Sequence, residues 1–514
     1  MPDSLPPTEQ LLIMGGDARI ALDQPSGLNK YGCQPFPDPN LLAFGSSTAS
    51  VISTTGFAAA NQLRQKLLRY IATESHAIVY AREIQRIRTK LLQLCELSDL
   101  TGLEAVFATS GTDAHLIAAQ YVGSGESSPT LVIMVEANET GSGVSAALSG
   151  CHFNKTGSQN AAATENGQIA GSNTIEVVSV PIRFADGTPR QLADVDRQVE
   201  SLANDAVALG HRVLLILVDQ SKTGLIAPSL ACVSGLYRRL QGSINVLVDA
   251  CQFRIAPPTL RTYLEQGFMV ALTGSKFVTG PSFSAVLLLP FMVAQQLRQK
   301  NFPPALYPYT SRANWPISWD AANGLNSDVN FGLLLRWEAA LDEVQRFRMM
   351  PQIAIIYFLQ SFAQVILHRL ASDPAFESLQ VPQLDRSPLI ESNSWDHLQT
   401  VFPFLLYHPE TSVGRLPLRR EETLRVYKQL QTDLTESPAF NHVDSSGDIA
   451  SLRCQFGQPV ACGNRDGIEV SVLRICVSAR LIIEAVSQGG KGATAVIEDA
   501  LAALDKAALI VGNL

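Results

Sequence analysis

The sequence predicts an α/β protein with a mainly parallel sheet, followed by a smaller α+β region. Three short apolar runs carry the first part of this prediction: Val246–Val248, Met269–Leu272 and Ala285–Leu289. Strands that are covered on both faces show continuous apolar runs instead of alternation. Helical patterns fill most gaps between such runs, and this alternation is typical of a parallel sheet with helices on both faces.

The composition fits a folded protein of two or three domains. The chain has 514 residues, of which 46% are hydrophobic and 17% charged, so it can bury a large core. The net charge of −8 argues against a surface for nucleic acid or anionic membranes. The eight cysteines include no CxxC pair, and we therefore expect reduced thiols in a cytoplasmic protein.

Neither a signal peptide nor a membrane span is expected. Met1–Gln10 is polar and proline-rich, without a basic start or an apolar core. The longest apolar window, Phe283–Ala294, is interrupted by Ser284 and Pro290, and it is too short to cross a bilayer.

Residues 1–60 are predicted to form an N-terminal arm and an active-site loop. The loop, Phe44–Phe57, crowds Ser, Thr and Gly together. Such a segment is either a flexible linker or a loop whose hydroxyls and amides approach a ligand, and composition favours neither. Asn61–Leu97 follows as one predicted helix, because its apolar residues recur at helical spacing.

The large domain is predicted to span residues 61–325 and to contain seven strands. These are Glu104–Ala108, Leu131–Val135, Thr174–Ile182, Val213–Asp219, Asn245–Asp249, Met269–Thr273 and Ser284–Leu289. Intervening helices are predicted at Thr112–Val122, Asp194–Leu209 and Ser229–Leu240. Gly157–Ser172 interrupts this rhythm and is predicted to be an exposed loop.

Residues 326–514 are predicted to form the smaller C-terminal domain. A long helix is expected from about Phe331 to Ala371. The remainder mixes predicted strands (Gln399–Tyr407, Asn441–Cys454 and Gly467–Val477) with predicted helices (Ala479–Gln488 and Ala493–Ala507).

Two chemically active side chains follow neighbouring apolar runs. Asp249 ends the first run and Lys276 lies just past the second. Ligands bind at the carboxyl ends of the strands in an open α/β sheet, so the two residues form one site if their strands are adjacent. A lysine amine close to a carbonyl cofactor is a covalent catalyst.

A third group, Ser110, Gly111 and Thr112, lies between a predicted strand and a helix. The amides at such a helix start favour a phosphate. Taken alone, the segment is more simply interpreted as a capped turn. Together with the acid and the lysine, it suggests a phosphorylated aldehyde cofactor.

Four segments resemble the pyridoxal-phosphate enzymes of fold type I. They are ATSGTDAHLIAAQ, DQSKTGLIAP, VDACQFR and TGSKFVTGPSFSAVLLLP, and they are most similar to the branch of class V aminotransferases, cysteine desulfurases and kynureninase-like enzymes. The resemblance covers roughly Phe44 to Leu341 and weakens from about Met350. It implies pyridoxal 5′-phosphate as cofactor, an amino acid or amine as substrate, and a homodimer with shared active sites.

The resemblance also implies roles for individual residues. Lys276 would form the Schiff base with the cofactor and shuttle the substrate proton, and Asp249 would pair with the pyridine nitrogen. Gln252 would hydrogen-bond the phenolic oxygen. The phosphate would be held by Ser110, Gly111, Thr112 and Ser275.

Further contacts are implied outside this set. Thr279, Gly280 and Thr310 are expected to reach the phosphate of the neighbouring subunit. Arg474 is expected to clamp the substrate carboxylate through its guanidinium fork, with Arg480 as its rival. A surface arginine on a strand is the alternative interpretation of Arg474.

The sequence departs from the family pattern in two places. Asn138 or Glu139 occupies the region where relatives stack a histidine or an aromatic residue on the cofactor ring. Cys454 and Cys462 lack the context of a desulfurase loop, and buried, inert thiols are expected there. His115 is expected to be a packing residue, and no metal site is predicted.

These observations predict an enzyme that acts through an external aldimine and a quinonoid, with transamination slightly favoured. A lyase that cleaves a C–S or C–C bond, such as a cysteine desulfurase, is the alternative, because one cofactor core supports all these reactions. A non-catalytic relative with the same fold is the rival from another class.

Overall fold

A computed structural model describes residues 5–123, 128–155, 164–172, 175–390, 394–409, 414–437 and 447–514. Part of the predicted loop Gly157–Ser172 therefore lies outside the described residues. Its described end is an irregular turn in which Gln168 forms a bridge to Cys151.

The strands of the described residues form two sheets. They are β1 (Leu41–Phe44), β2 (Glu104–Ala108), β3 (Thr130–Val135), β4 (Ile175–Val180), β5 (Arg212–Asp219), β6 (Ile226–Ala227), β7 (Ile244–Asp249), β8 (Met269–Thr273), β9 (Ala285–Leu289), β10 (Phe376–Ser378), β11 (Val401–Leu406), β12 (Arg453–Arg465) and β13 (Ile468–Cys476).

The α-helices surround these sheets. They are α1 (Thr8–Leu12), α2 (Thr54–Ile71), α3 (His76–Leu94), α4 (Gly111–Gly123), α5 (Val144–Leu148), α6 (Leu192–Ala208), α7 (Leu230–Arg239), α8 (Pro257–Glu265), α9 (Phe291–Arg298), α10 (Phe331–Arg348), α11 (Gln352–Ser372), α12 (Arg420–Leu430), α13 (Gly447–Ser451), α14 (Ala479–Ser487) and α15 (Gly490–Gly512).

The large sheet has the order β2-β9-β8-β7-β5-β3-β4, with β6 paired to β5. Neighbours from β8 to β4 along this order are parallel, whereas β9 is antiparallel to both β2 and β8. All seven predicted strands are present within a residue or two, and the mainly parallel α/β class is confirmed. Side chains of β3, β5, β7, β8 and β9 are almost all buried, which explains their continuous apolar sequences.

The smaller sheet has the order β1-β12-β13-β11-β10. Its first strand comes from the N-terminal arm, because β1 pairs in parallel with β12. Residues 441–446 of the predicted strand Asn441–Cys454 lie outside the described residues. The prediction is wrong at Gly447–Ser451, which is helical, and the strand begins only at Arg453. Sequence patterns missed most of β12 because register irregularities in its pairing with β13 interrupt the alternation.

Two predicted long helices are each divided in the structure. The predicted helix Asn61–Leu97 is α2 and α3, and the Ser75 side chain caps the start of α3 by accepting from the amide of Ile78. The predicted helix from Phe331 is α10 and α11, and Pro351 separates them. Proline has no amide hydrogen, so it fits a helix start and disrupts an interior.

One helix among the described residues, α11, is long and apolar enough to cross a membrane by length and composition. This is weak evidence, because a core helix of a soluble protein passes the same test. The buried residues of α11 include Ile355, Phe362 and Ile366, and the helix packs against α14 and α15.

A buried ion pair joins the end of β5 to the C-terminal part of the chain. Arg386 donates to both carboxylate oxygens of Asp219, at 2.7 and 2.8 Å, and both side chains are fully buried. Tyr263 donates to the same carboxylate at 2.6 Å. This cluster fixes the strand end from which the loop at 220–224 enters the site.

Candidate active site

A cavity of about 320 Å³ lies at the carboxyl ends of β5, β7 and β8. Asp249 and Lys276 both line it, and their strands are hydrogen-bonded neighbours. Asp249 and Lys276 therefore lie in one cavity, as expected for residues at the carboxyl ends of adjacent strands. The volume is at the lower end of the roughly 300–1,000 Å³ found for small-molecule sites.

One end of the cavity is built to receive an anion. Ser110, Gly111 and Thr112 line it at the start of α4, where the first amides of a helix lack intrahelical partners. Ser275, after β8, lines the same cavity. The residues predicted to bind phosphate are therefore grouped as expected.

Gly111 lies where no larger residue fits without movement. A Cβ at this position would be 2.8 Å from Sγ of Cys251 and 3.3 Å from Cγ2 of Thr273. The turn before α4 thus packs tightly against the ends of β7 and β8. Glycine is required here by close approach, because its φ is not in the left-handed region.

The N-terminal arm adds a cation to this anion-binding end. Arg19 donates to the hydroxyls of Ser110 and Thr112, at 3.2 and 3.3 Å. Asp17 accepts from Nε of the same guanidinium through Oδ1 and from an Nη through Oδ2, and this bidentate pair holds Arg19 in place. Sequence reasoning missed Arg19, since the arm carries no motif and is far from α4 in the chain.

The buried side chain of Asp113 stabilises the turn at Ser110–Thr112 by hydrogen bonds. Its carboxylate accepts from the amide of Ser110 at 2.9 Å and from the Ser110 hydroxyl. Burial raises the pKa of Asp113 to about 6, although these hydrogen bonds act to lower it. The arrangement fixes the hydroxyl of Ser110 at the rim of the cavity.

Asp249 forms a buried pair with His115. Nε2 of His115 lies 3.3 Å from Oδ2 of Asp249, and Nδ1 lies 2.7 Å from the carbonyl oxygen of Gly111. Burial alone would raise the pKa of Asp249, but the charges of His115 and Lys276 outweigh it and hold the pKa below its ordinary value. The expectation that His115 only packs is incomplete, since it also orients the acid.

His115, Asp249 and Cys251 place three potential ligand atoms within 4.8 Å of one another. The donor chemistry fits a metal poorly. Burial raises the pKa of the Cys251 thiol well above its ordinary value, which disfavours the thiolate that a metal needs. We interpret His115 and the Cys251 amide as groups that position the Asp249 carboxylate.

Gln252 lines the cavity but is already held by protein groups. Its Nε2 donates to the carbonyl of Ser47 at 3.0 Å, and its Oε1 accepts from Nε of the buried Arg254 at 3.3 Å. One amide hydrogen remains for a ligand. Ser47 and Thr48 also line the cavity, so the loop at 44–57 includes residues that approach the site, as one of its two interpretations predicted.

Arg474 lines the cavity, whereas Arg480 does not. Arg474 is 1% exposed, and one Nη donates to Oγ1 of Thr48 at 3.0 Å while the other donates to the carbonyl of Gln458. Its Nε is buried without a hydrogen-bond partner in the described residues. Arg480 instead donates to the carbonyls of Val51 and Thr279. Arg474 is thus buried in the site, not a surface arginine.

Residues 138–142, where a ring-stacking residue was expected, include no aromatic side chain. Asn138 is exposed and does not line the cavity. The buried carboxylate of Glu139 is occupied by Arg183 and by the hydroxyls of Ser221 and Thr223, at 2.7 to 2.8 Å. Thr140, Gly141 and Ser142 follow along the wall, so a flat ligand would meet small side chains on this side.

Three residues predicted to serve the neighbouring subunit lie outside the cavity lining. Thr310 is fully buried in its own chain, and its hydroxyl accepts from Nε1 of Trp315 at 2.9 Å. Thr279 is buried with a φ of 55°. Gly280 packs against Ala340, where a Cβ would be 2.6 Å away. Their cross-subunit contacts stay predictions.

Cys454 and Cys462 are buried, as expected, and do not line the cavity. Burial raises the pKa of both Cys454 and Cys462 to about 11. The thiol of Cys462 donates to the carbonyl of Gly187 at 3.7 Å. Neither has the exposed, low-pKa environment of a reactive thiol.

No protein-family model and no curated protein matches the sequence. Solved structures do match. A complex of the cystine C–S lyase C-DES with its product cysteine persulfide has a TM-score of 0.52 at 14% identity, covering 90% of this chain and 98% of that one.

Two further structures match over similar lengths. Serine palmitoyltransferase from S. paucimobilis with a bound PLP–myriocin aldimine has a TM-score of 0.49 at 12% identity, covering 91% of this chain and 88% of that chain. The cysteine desulfurase CsdA from Escherichia coli has a TM-score of 0.49 at 14% identity, covering 91% of this chain and 95% of that chain. The chain has the fold of fold type I pyridoxal-phosphate enzymes. At these identities the likeness concerns the fold alone.

Proposed function

We propose that the protein is a pyridoxal-phosphate-dependent enzyme that transaminates an amino acid or amine. One observation carries the proposal. Asp249, which is paired with His115, ends β7, Lys276 follows the adjacent parallel strand β8, and both residues line one cavity. That cavity has an anion-binding turn at one end. A lysine and a buried acid so arranged match the two needs of this chemistry, a covalent anchor and a partner for the ring nitrogen.

The residues present fit the cofactor. The turn at Ser110–Thr112, with Arg19 beside it, would hold the phosphate. Asp249 would face the ring nitrogen and Gln252 would donate its remaining amide hydrogen. When bound, pyridoxal phosphate supplies a carbonyl that captures amines and a ring that accepts electrons.

The protein groups divide the remaining tasks. Lys276 holds or releases a proton at its amine, and its half-buried position keeps it accessible to a small substrate. Arg474 orients a carboxylate through a charge-assisted contact. A carboxylate that is paired with a buried guanidinium is stabilised as an anion, which favours reactions that retain it over decarboxylation. Transamination is such a reaction.

A persulfide relay is less well supported. Cys251 is the cysteine that lines the cavity among the described residues, and burial raises the pKa of its thiol well above the ordinary value. A relay needs an accessible thiolate to accept sulfur. This favours transamination over desulfuration at the same cofactor.

We further propose a cytoplasmic homodimer with shared active sites. The irregular segment around Thr310 carries Ile317, which is 79% exposed, and Tyr307, which is 42% exposed. We assign the subunit contact to this segment. Light scattering should give twice the chain mass; a monomer at micromolar concentration would reject the dimer.

Product analysis of the holoenzyme tests the reaction. The protein is incubated with cofactor and with single amino acids from a panel. We expect a keto acid together with pyridoxamine phosphate, because the amino group passes to the cofactor in a half-reaction. Sulfide with alanine would instead identify a desulfurase, and the absence of any visible cofactor band would reject the enzyme.

Changing Gly111 to Ala should weaken cofactor binding. The added methyl group would collide with Sγ of Cys251, and relief of this overpacked contact, which costs about 1–3 kcal/mol, shifts the backbone of the turn that would hold the phosphate. We expect the dissociation constant for pyridoxal phosphate, measured by fluorescence titration, to rise roughly tenfold. Gly235→Ala is the control, because its nearest neighbour is the flexible end of Arg239. Equal affinity in both variants would contradict the assigned phosphate turn.

A further inference from the structure

The cavity contains more positive charge than the proposed cofactor and a simple amino acid require. Lys222, from the loop after β5, and Lys30, from the N-terminal arm, both line the cavity with Arg474. These residues come from three separate parts of the chain. Neither lysine has a role in the proposed function.

Lys222 is the better placed of the two lysines. Its side chain is half-buried, and the positive charges of Arg474, Lys276 and Lys30 all act on it. Burial is the largest influence and, with these charges, lowers the pKa of Lys222 to about 8. Among the described residues its ammonium group has no hydrogen-bond or ion-pair partner.

The acids that line the described cavity cannot neutralise this cluster. They are Glu139 and Asp249. The carboxylate of Glu139 acts on Lys222 from a distance, but its oxygens are occupied by Arg183, Ser221 and Thr223. Asp249 is paired with His115. A partly buried ammonium without a partner is costly unless a ligand supplies the counter-charge.

The backbone holds Lys222 firmly at this position. Its amide donates to the carbonyl of Glu139 at 2.9 Å, and the neighbouring Ser221 and Thr223 donate to the Glu139 carboxylate. The loop is thus fixed on both sides of the lysine. Such fixation positions one charged group at the wall of the cavity.

We propose that Lys222, assisted by Lys30, forms a second anion-binding subsite that selects substrates with an acidic side chain. Arg474 then receives the α-carboxylate, and the ammonium group of Lys222 receives the anionic end of the side chain. The substrate class is an amino acid with a short side chain ending in a carboxylate or a similar anion. This inference rests on the proposed function, because it assumes an amino acid in the cavity.

Unreactive acids test the subsite without turnover. Glutarate and succinate are compared with valerate and butyrate, which have the same chain lengths and one carboxylate less, by calorimetric titration of the holoenzyme. A charge-assisted hydrogen bond should make each dicarboxylate bind about tenfold more tightly than its partner. In Lys222→Met this preference should disappear, while monocarboxylate affinity changes less than about twofold.

Three variants complete the test. Lys222→Arg should restore the preference because it returns the cation. Lys30→Met should reduce it only in part, since Lys30 is exposed and its charge is screened. Lys491→Met, an exposed lysine on α15, should leave both affinities unchanged. The visible cofactor band and the circular dichroism spectrum verify that each variant is folded and loaded.

The outcomes separate the subsite from the proposed function. If Lys222→Met weakens both kinds of acid equally, Lys222 serves the α-carboxylate and the second subsite is rejected. Equal affinities in the unmodified protein also reject it. A protein that never acquires the cofactor band overturns the proposed function, whereas a normal band without the dicarboxylate preference overturns this inference alone.

Discussion

Lys276→Ala should lose all measurable turnover and the visible absorbance of the bound cofactor. The variant removes the amine in the turn after β8 that we propose as covalent anchor and proton carrier. Loss of positioned proton transfer alone lowers rates by roughly 10²–10⁴-fold, and loss of the anchor adds to it. Absorbance spectroscopy and the keto-acid assay measure the two effects separately.

The same variant should remain folded. Lys276 is half-buried, and the contacts that position it run through its backbone, whose carbonyl accepts from Ser50 at 3.2 Å and from the amide of Thr279 at 3.0 Å. Lys491→Ala is the matched control, with full band and turnover expected. Added methylamine should restore part of the activity by replacing the missing amine. Full turnover in Lys276→Ala would reject its role.

The strands that build the site could be predicted because burial leaves a simple signal. β7, β8 and β9 are covered on both faces, so they appear as uninterrupted apolar runs. Polar residues directly after such runs then have a defined location at the sheet edge. This is why the amino-acid sequence could place Asp249, Lys276 and the turn at 110–112 at one edge of the sheet, whereas the adjacency of β7 and β8 comes from the structure.

The missed residues lack such a signal. Arg19 reaches the turn before α4 across 91 positions of sequence, through an arm without regular periodicity. Lys222 does follow a predicted strand, Val213–Asp219, but the direction of its loop is set by the buried carboxylate of Glu139. His115 follows Gly111 by four positions on α4. Residues four apart lie on the same face of a helix, so the ring of His115 contacts the Gly111 carbonyl at the helix start. Only the tertiary fold decides which of these side chains face the cavity.

The smaller domain was harder to predict for a related reason. Its sheet combines β1 from the N-terminal arm with four later strands, and a pairing over such a distance leaves no local pattern. Within it, the family resemblance pointed to Arg474, but nothing in the sequence predicted its burial. Thr48 and Gln458, which accept from its guanidinium, are contributed by distant segments.

Arg386→Ala should lower the free energy of unfolding by about 3–5 kcal/mol. The change leaves the Asp219 carboxylate without its bidentate partner at a position that is fully buried. Tyr263 supplies one remaining hydrogen bond, which cannot neutralise the charge. Chemical denaturation, followed by fluorescence, measures the change as a shift of the midpoint.

Matched variants show whether the unpaired charge is the cause. Asp219→Asn combined with Arg386→Met removes both charges, and it should recover much of the lost stability because a buried pair can be replaced by neutral groups at small cost. Arg239→Ala breaks an exposed pair with Glu200 and should leave the midpoint nearly unchanged. If Arg386→Ala behaves like Arg239→Ala, the buried pair does not stabilise the fold. If instead its midpoint falls and its cofactor binding weakens together, the pair also supports the loop that carries Lys222, because Asp219 ends the strand from which that loop begins.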